Sequence, residues 1–184
     1  MLQKIKYDES HVSHAYQTAE LYEHHDLALK ELQQFIQVTG QSDEVKRKFQ
    51  ILACIVQFIS FDLFREGRYS WEFHLQAAAA LAAQMFNHID TTIYMDATAV
   101  AITFMCGVVL WLDILSTVTA VKRPLLWDCR ERKLSLIQMD KTVACRNWVA
   151  ATIAEIGFLG ERKAAGMLNE QDMWYIDNQV QQII

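Results

Sequence analysis

Residues 97–112, ATAVAITFMCGVVLWL, contain no charged side chain and decide how the rest of the chain is interpreted. Asp96 precedes this run and Asp113 follows it, so it is shorter than the roughly 20 residues that an α-helix needs to span a bilayer. The run is instead typical of a helix buried at the centre of a globular domain, and no membrane span is expected.

The composition around this run is that of an all-helical protein. Only six Gly and one Pro occur in 184 residues, and 52% of the residues are apolar. A chain of this length and composition can build a sizeable core without the frequent turns of a sheet protein. We therefore expect an all-α fold: a single compact bundle of about five to seven helices over residues 1–184, with the very apolar helix at its centre.

The spacing of apolar residues and the capping signals give the expected helix boundaries. The expected helices are, approximately, residues 10–38, 43–65, 71–87, 94–119 and 134–158, then a short helix at 161–168 and a last helix that ends near residue 182. Gly157 and Gly160 are expected to break the fifth helix. Asn169 and Asp172 have the spacing of a capping box at the start of the last helix.

Charge and cysteine content exclude several classes of protein. The net charge of −5 and the lack of a basic face disfavour direct DNA binding, which depends on Lys and Arg at phosphates. The four cysteines form no C-x-x-C pair, so they are expected to be small core residues of a reducing compartment: Cys54, Cys106, Cys129 and Cys145. The charged N-terminus does not resemble a signal peptide, and a cytoplasmic location is expected.

Metal and cofactor chemistry lack a supporting motif. Glu20 with His24 and His25, and His11 with His14, have spacings that place ligands on one helix face. No second helix carries the E-x-x-H partner of a carboxylate-rich metal site, so a polar surface explains these residues and no metal is expected. Gly-rich phosphate loops and nucleophile elbows are also absent from the sequence, and no cofactor is expected.

Two polar residues are candidates for acid–base catalysis. Asp113 closes the apolar run, and burial of a carboxylate tends to raise its pKa toward a useful range. His74 lies in the first turn of the third expected helix, where the neutral imidazole is favoured. Structural explanations compete with both: an ion pair or cap for Asp113, and a bond from a core histidine to a backbone carbonyl for His74.

Four aromatic residues near these candidates can line a cavity for an apolar small molecule: Trp71, Phe73, Phe104 and Trp111. The alternative is that these four aromatic residues belong to the ordinary hydrophobic core.

Several motifs, taken in order, carry a resemblance to a known family. They are the helix Tyr16–Ile36, the segment Trp71-Glu72-Phe73-His74-Leu75-Gln76-Ala77-Ala78, the segment Trp111-Leu112-Asp113-Ile114-Leu115-Ser116, and Arg123-Pro124-Leu125. Residues 13–126 thereby resemble the middle region of the fungal-specific transcription factor regulatory domain, which follows a zinc binuclear cluster. The resemblance implies a helical fold and a fungal origin, and leaves residues 127–184 as additional helices.

The resemblance also implies a function, and the departures from the family bear on it. Domains of this family are thought to bind small effectors, regulators or themselves. This chain has four scattered cysteines where the zinc cluster needs six, so it is expected to be either a fragment or a free-standing descendant. A chain that is part of a transcription factor would be nuclear.

Two functions remain open from the sequence. The first is a cofactor-independent enzyme of fungal specialised metabolism that guides cyclisation or isomerisation of an apolar substrate, with His74 and Asp113 as acid–base groups. The alternative is an effector-binding regulatory domain, or a free modulator that acts through helix-mediated association. Homo-oligomerisation is open in either case.

Overall fold

The computed structural model describes residues 20–37, 44–64, 70–89, 97–120, 122–126 and 137–183. These residues form seven helices and no strand, which confirms the all-α fold class. The chain divides into two compact units, Met1–Glu44 and Val45–Ile184. The described part of the first unit is the helix α1, residues 20–37.

Six helices follow α1. They are α2 (Glu44–Phe64), α3 (Ser70–Ile89), α4 (Ala97–Ala120), α5 (Met139–Val143), α6 (Asn147–Ala164) and α7 (Glu170–Ile183). The boundaries of α2, α3 and α4 agree with the expected ones to within a few residues. The expected start of the first helix at Ser10 lies outside the described residues.

The core of the second unit forms around α4, which packs against α3, α5 and α6. The buried alanines of α3 permit close approach of its neighbour, because their side chains add little width to the helix. The fully buried large side chains include Leu52, Ile59, Leu75, Met85, Phe86, Leu110, Ile114, Ile137 and Met139. By length and composition alone α4 could also cross a membrane, and it is the one described helix of which this is true.

The fifth expected helix is wrong in both extent and end point. Residues 137 and 138 are not helical, α5 is short, and Ala144 adopts a left-handed conformation with φ 55° that separates α5 from α6. Helix α6 then continues through Gly157 and Gly160 to Ala164, so no separate helix begins at residue 161.

Gly157 lies within α6 rather than at its end, at the point where α6 contacts α4. A Cβ atom at this position would overlap Thr117 Oγ1 and would lie 2.7 Å from Thr117 Cβ on α4. The missing side chain lets the two helices approach more closely than any other residue would allow. A glycine that is unfavourable for an isolated helix is therefore required by the packing.

The expected capping box at the start of α7 is confirmed. The Asp172 N–H donates to Asn169 Oδ1 at 2.8 Å, and the Asn169 N–H donates to Asp172 Oδ2 at 3.0 Å. These two bonds satisfy donors that the first turn of a helix otherwise leaves without partners.

The cysteine prediction is correct for Cys106, which is buried, and wrong for Cys54, which is exposed. Cys145 is half-buried, and Cys129 lies outside the described residues. Cys54 lies between the buried residues Leu52 and Ile55 on α2, but its own side chain is exposed.

Candidate functional site

Asp113 is a fully buried carboxylate whose two oxygens hold the chain that follows α4. Its side chain is 0% exposed. Oδ1 accepts the Leu125 N–H at 2.9 Å, and Oδ2 accepts the Leu126 N–H at 2.8 Å. The segment after Pro124 is thereby fastened against the last third of α4.

The electrostatics of Asp113 combine opposing effects. Burial raises the pKa of this carboxyl above its ordinary value of 3.8, because removal from water disfavours the charged form. The N–H groups of Leu126 and Leu125 and the nearby charge of Lys122 lower the pKa and offset part of that increase. Lys122 itself pairs with Glu72 of α3 at 3.0 Å.

His74 lies beside a second buried carboxylate. Its Nε2 is 3.7 Å from Oδ2 of Asp62, and the Asp62 side chain is 3% exposed. This separation is an ion-pair distance rather than a direct hydrogen bond. The His74 ring also stacks on Phe58 at a centroid distance of 5.6 Å. Since Phe58 and Asp62 are four residues apart on α2, both reach the same point on α3.

The two candidate acid–base residues therefore have different partners. Asp113 engages backbone N–H groups after Pro124, and His74 engages Asp62 and Phe58 of α2. Asp62 is not among the residues predicted from the sequence. The feature of the sequence that could have indicated Asp62 is a lone carboxylate in the apolar segment FISFDLF, four residues after Phe58.

The four aromatic candidates differ in exposure. Phe73 on α3 is 71% exposed and Phe104 on α4 is 47% exposed. Trp71 and Trp111 are half-buried. Exposure of Phe73 and Phe104 is typical of surface residues rather than of the walls of a closed cavity.

A third polar contact joins α5 to α6. Asn147, the first residue of α6, accepts the Met139 N–H with Oδ1 at 2.9 Å and donates from Nδ2 to the Ile137 carbonyl at 2.8 Å. The amide thereby satisfies backbone groups on both sides of residue 138, as a neighbouring strand would.

The two buried carboxylates, Asp62 and Asp113, thus each contact a different segment of the chain: Asp62 lies beside His74 of α3, and Asp113 accepts N–H groups from the segment after Pro124. The structure is that of an all-helical domain in which these buried carboxylates have protein partners. The chain belongs to the family described as the fungal specific transcription factor domain, whose profile matches residues 4–183. The match confirms the resemblance seen in the sequence and extends it over residues 127–183.

Two relatives are transcription regulators by name. The pestheic acid cluster transcriptional regulator 3 of Pestalotiopsis fici is 26% identical over 176 residues, covering 80% of this chain and 31% of that protein. The transcription factor ntnD of Nectria sp. is 29% identical over 164 residues, covering 80% of this chain and 26% of that protein. The chain thus spans less than a third of the length of either relative. No solved structure matches the chain.

Proposed function

We propose that the chain is a regulatory domain that controls transcription of a gene cluster for a specialised metabolite. The observation that carries this proposal is the family match over residues 4–183, together with two relatives named as transcription regulators. The name of the first relative refers to a metabolite cluster, which supports a role in specialised metabolism.

The regulatory role is favoured over the cyclase or isomerase hypothesis by the comparisons, and the geometry of Asp113 points in the same direction. A catalytic acid needs a carboxyl that can reach the reacting atom. Both oxygens of Asp113 instead accept backbone N–H groups at 2.9 and 2.8 Å. The exposed rings of Phe73 and Phe104 likewise support a surface that meets other molecules.

The proposed domain acts beside a DNA-binding part rather than in its place. Its four cysteines and net charge of −5 do not provide a zinc binuclear cluster or a basic DNA-contacting face. The proposal therefore places the domain in the nucleus as the part that receives a signal. An apolar small molecule, the ligand class expected from the sequence, is the proposed effector.

A reporter assay tests this role. The chain is fused to a heterologous DNA-binding domain and activation segment, and reporter output is compared with that of the same fusion without the chain. We expect the chain to change reporter output severalfold and to make it responsive to a fungal culture extract. Leu52→Asp, which places a charge at a fully buried position, is the matched control and should abolish the effect.

The competing enzyme hypothesis makes the opposite prediction. Purified chain is incubated with the same extract, and the extract is compared by mass spectrometry before and after incubation. Consumption of a metabolite by the folded chain, combined with an unchanged reporter, would overturn the regulatory proposal.

A further inference from the structure

Helix α7 has one side that faces α6 and one side that faces away from it. The Asp172 carboxylate pairs with Arg162 of α6 at 2.9 Å, and the Tyr175 hydroxyl donates to Glu155 of α6 at 2.7 Å. Because an α-helix has about 3.6 residues per turn, positions 172 and 175 lie on the same side of α7. The opposite side of α7 therefore points away from these two contacts.

The side that points away carries two apolar residues between two acidic ones. We define the α7 outer face as Glu170, Met173, Trp174 and Asp177, whose spacings of three and four residues bring them to one side of the helix. Met173 and Trp174 are 52% and 66% exposed, and Glu170 is also exposed. Methionine and tryptophan are enriched where proteins bind each other, so this face is typical of a protein-binding surface.

The charge of the α7 outer face restricts what can cover it. No Lys, Arg or His follows Lys163 in the sequence, and both charged positions of the face, 170 and 177, are acidic. The face therefore repels DNA and anionic lipid, which are negatively charged, and also the same face of a second copy. A protein surface with Lys and Arg around an apolar centre is complementary to it.

We propose that the α7 outer face docks as a helix into an apolar groove edged by Lys and Arg on a separate protein of the transcription machinery. Trp174 is the anchor that enters the groove, Met173 packs beside it, and Glu170 and Asp177 pair with the basic edges. Segments that combine acidic and large apolar residues are typical of regions that recruit transcription proteins. The choice of a transcription protein rests on the proposed regulatory function, whereas the docking rests on α7 alone.

The helix that docks is already held in place. The reciprocal hydrogen bonds of Asn169 and Asp172 fix its first turn, so little conformational freedom is lost on binding. The outer face is nevertheless short, and the contact should be weak. Each of its few residues should then contribute measurably to binding.

A reporter assay in yeast tests the docking. The full chain is fused to a bacterial DNA-binding domain without any added activation segment. We expect the wild-type fusion to raise reporter output severalfold above that of the DNA-binding domain alone. Trp174→Ala should reduce this increase by about tenfold, because it removes the anchor. Glu170→Gln/Asp177→Asn should reduce it by a smaller factor, because it removes charge while keeping the shape of the side chains.

Matched controls separate docking from folding and expression. Trp148→Ala removes an equally exposed tryptophan, 59% exposed on α6, and should activate like the wild type. Asp140→Asn removes an exposed carboxylate on α5 and should also have no effect. Circular dichroism of the purified chains and immunoblots of the fusions verify that all variants fold and accumulate equally.

Cross-linking in the same cells tests the chemistry of the partner. A photoreactive phenylalanine analogue replaces Trp174 in the fusion, and the cross-linked peptides are identified by mass spectrometry. We expect a transcription protein, attached through an apolar surface bordered by Lys and Arg. The same analogue at position 148 should not capture that protein, and Glu170→Gln/Asp177→Asn should reduce its capture.

Several results would overturn the inference. A wild-type fusion that does not activate would do so, as would an equal loss in Trp174→Ala and Trp148→Ala. Cross-links to DNA, to a second copy of the chain or to an acidic surface would exclude the proposed partner.

The docking and the proposed regulatory function can fail separately. The assay of the regulatory function supplies its own activation segment, so a chain that responds to the culture extract there but does not activate here would refute only the docking. A chain that activates here through Trp174 but changes nothing in that assay would refute the response to an effector and support the docking.

Discussion

Helix α6 is held by different physical means on its two sides. Where it crosses α4, the contact depends on shape: Gly157 lies against the side chain of Thr117, whose hydroxyl donates to the Ile114 carbonyl within α4 at 2.7 Å. Where it meets α7, the contact depends on polar bonds, including the 2.7 Å bond from the Tyr175 hydroxyl to Glu155. The crossing is buried and the α6–α7 hairpin is exposed, so a contact at the crossing should contribute more to stability than a contact in the hairpin.

The largest effect is expected at the crossing. Gly157→Ala should lower the free energy of unfolding by about 3 kcal/mol, because the new Cβ overlaps Thr117 and the helices must separate. Denaturant unfolding measures the change. The double variant Gly157→Ala/Thr117→Ala should recover part of the loss, and a double variant no more stable than Gly157→Ala alone would show that this contact is not the cause.

Asp113→Ala should have the next largest effect, about 2 kcal/mol at neutral pH. The substitution leaves the N–H groups of Leu125 and Leu126 without an acceptor. Asp140→Ala, at an exposed carboxylate, is the control and should change stability by less than about 0.5 kcal/mol.

The pH dependence of the Asp113→Ala effect has a definite sign. Because the pKa of Asp113 is raised in the folded protein, the folded state keeps this proton to higher pH than the unfolded state. The contribution of Asp113 is therefore largest below pH 3.8 and decreases as the pH rises through the folded pKa. Unfolding curves of the wild type and of Asp113→Ala should be measured from below pH 3.8 up to neutral pH. The difference in free energy of unfolding between the two proteins should be smaller at neutral pH. A difference that grows with pH would contradict a raised pKa of Asp113.

A smaller and local effect is expected in the hairpin. Arg162 pairs with Asp172 at 2.9 Å and donates to the Met167 carbonyl at 3.0 Å, although part of its side chain is exposed. Arg162→Ala should weaken protection of α7 by about 1 kcal/mol in hydrogen exchange while α4 stays protected. Lys163→Ala removes an exposed neighbouring charge and should leave exchange unchanged. Equal loss of protection in α4 and α7 would mean that the two sides of α6 open together.

The smallest effect lies at the connection before α6, where Ala144 has φ 55°. Ala144→Gly should raise stability by about 0.5 kcal/mol, because glycine adopts this conformation without strain but loses more freedom on folding. Ala165→Gly, at a position with φ −80°, should lower it. A melting-temperature comparison of the two variants checks the signs, and a loss in both would indicate that Ala144 is unstrained.

Local features of the fold could be predicted from the sequence. Periodic apolar residues defined α2, α3 and α4, and the Asn169–Asp172 capping box involves residues only three apart. The continuation of α6 through Gly157 could not be predicted, because the reason for that glycine is Thr117 on another helix.

In the candidate site, too, local features could be predicted from the sequence and contacts between distant segments could not. The burial of Asp113 followed from its position beside the apolar run, but its partners are backbone N–H groups that carry no sequence signal. The pairing of His74 with Asp62 depends on the packing of α3 against α2, so it could not be read from either helix alone. The roles of His74 and Asp113 in catalysis stay predictions.

The contact between Gly157 and Thr117 also restricts how members of this family can diverge. A substitution at either position changes the space available at the other, so the two positions should vary together during evolution. A relative with a side chain at the position of Gly157 should have a residue smaller than threonine opposite it, or a wider separation between the two helices.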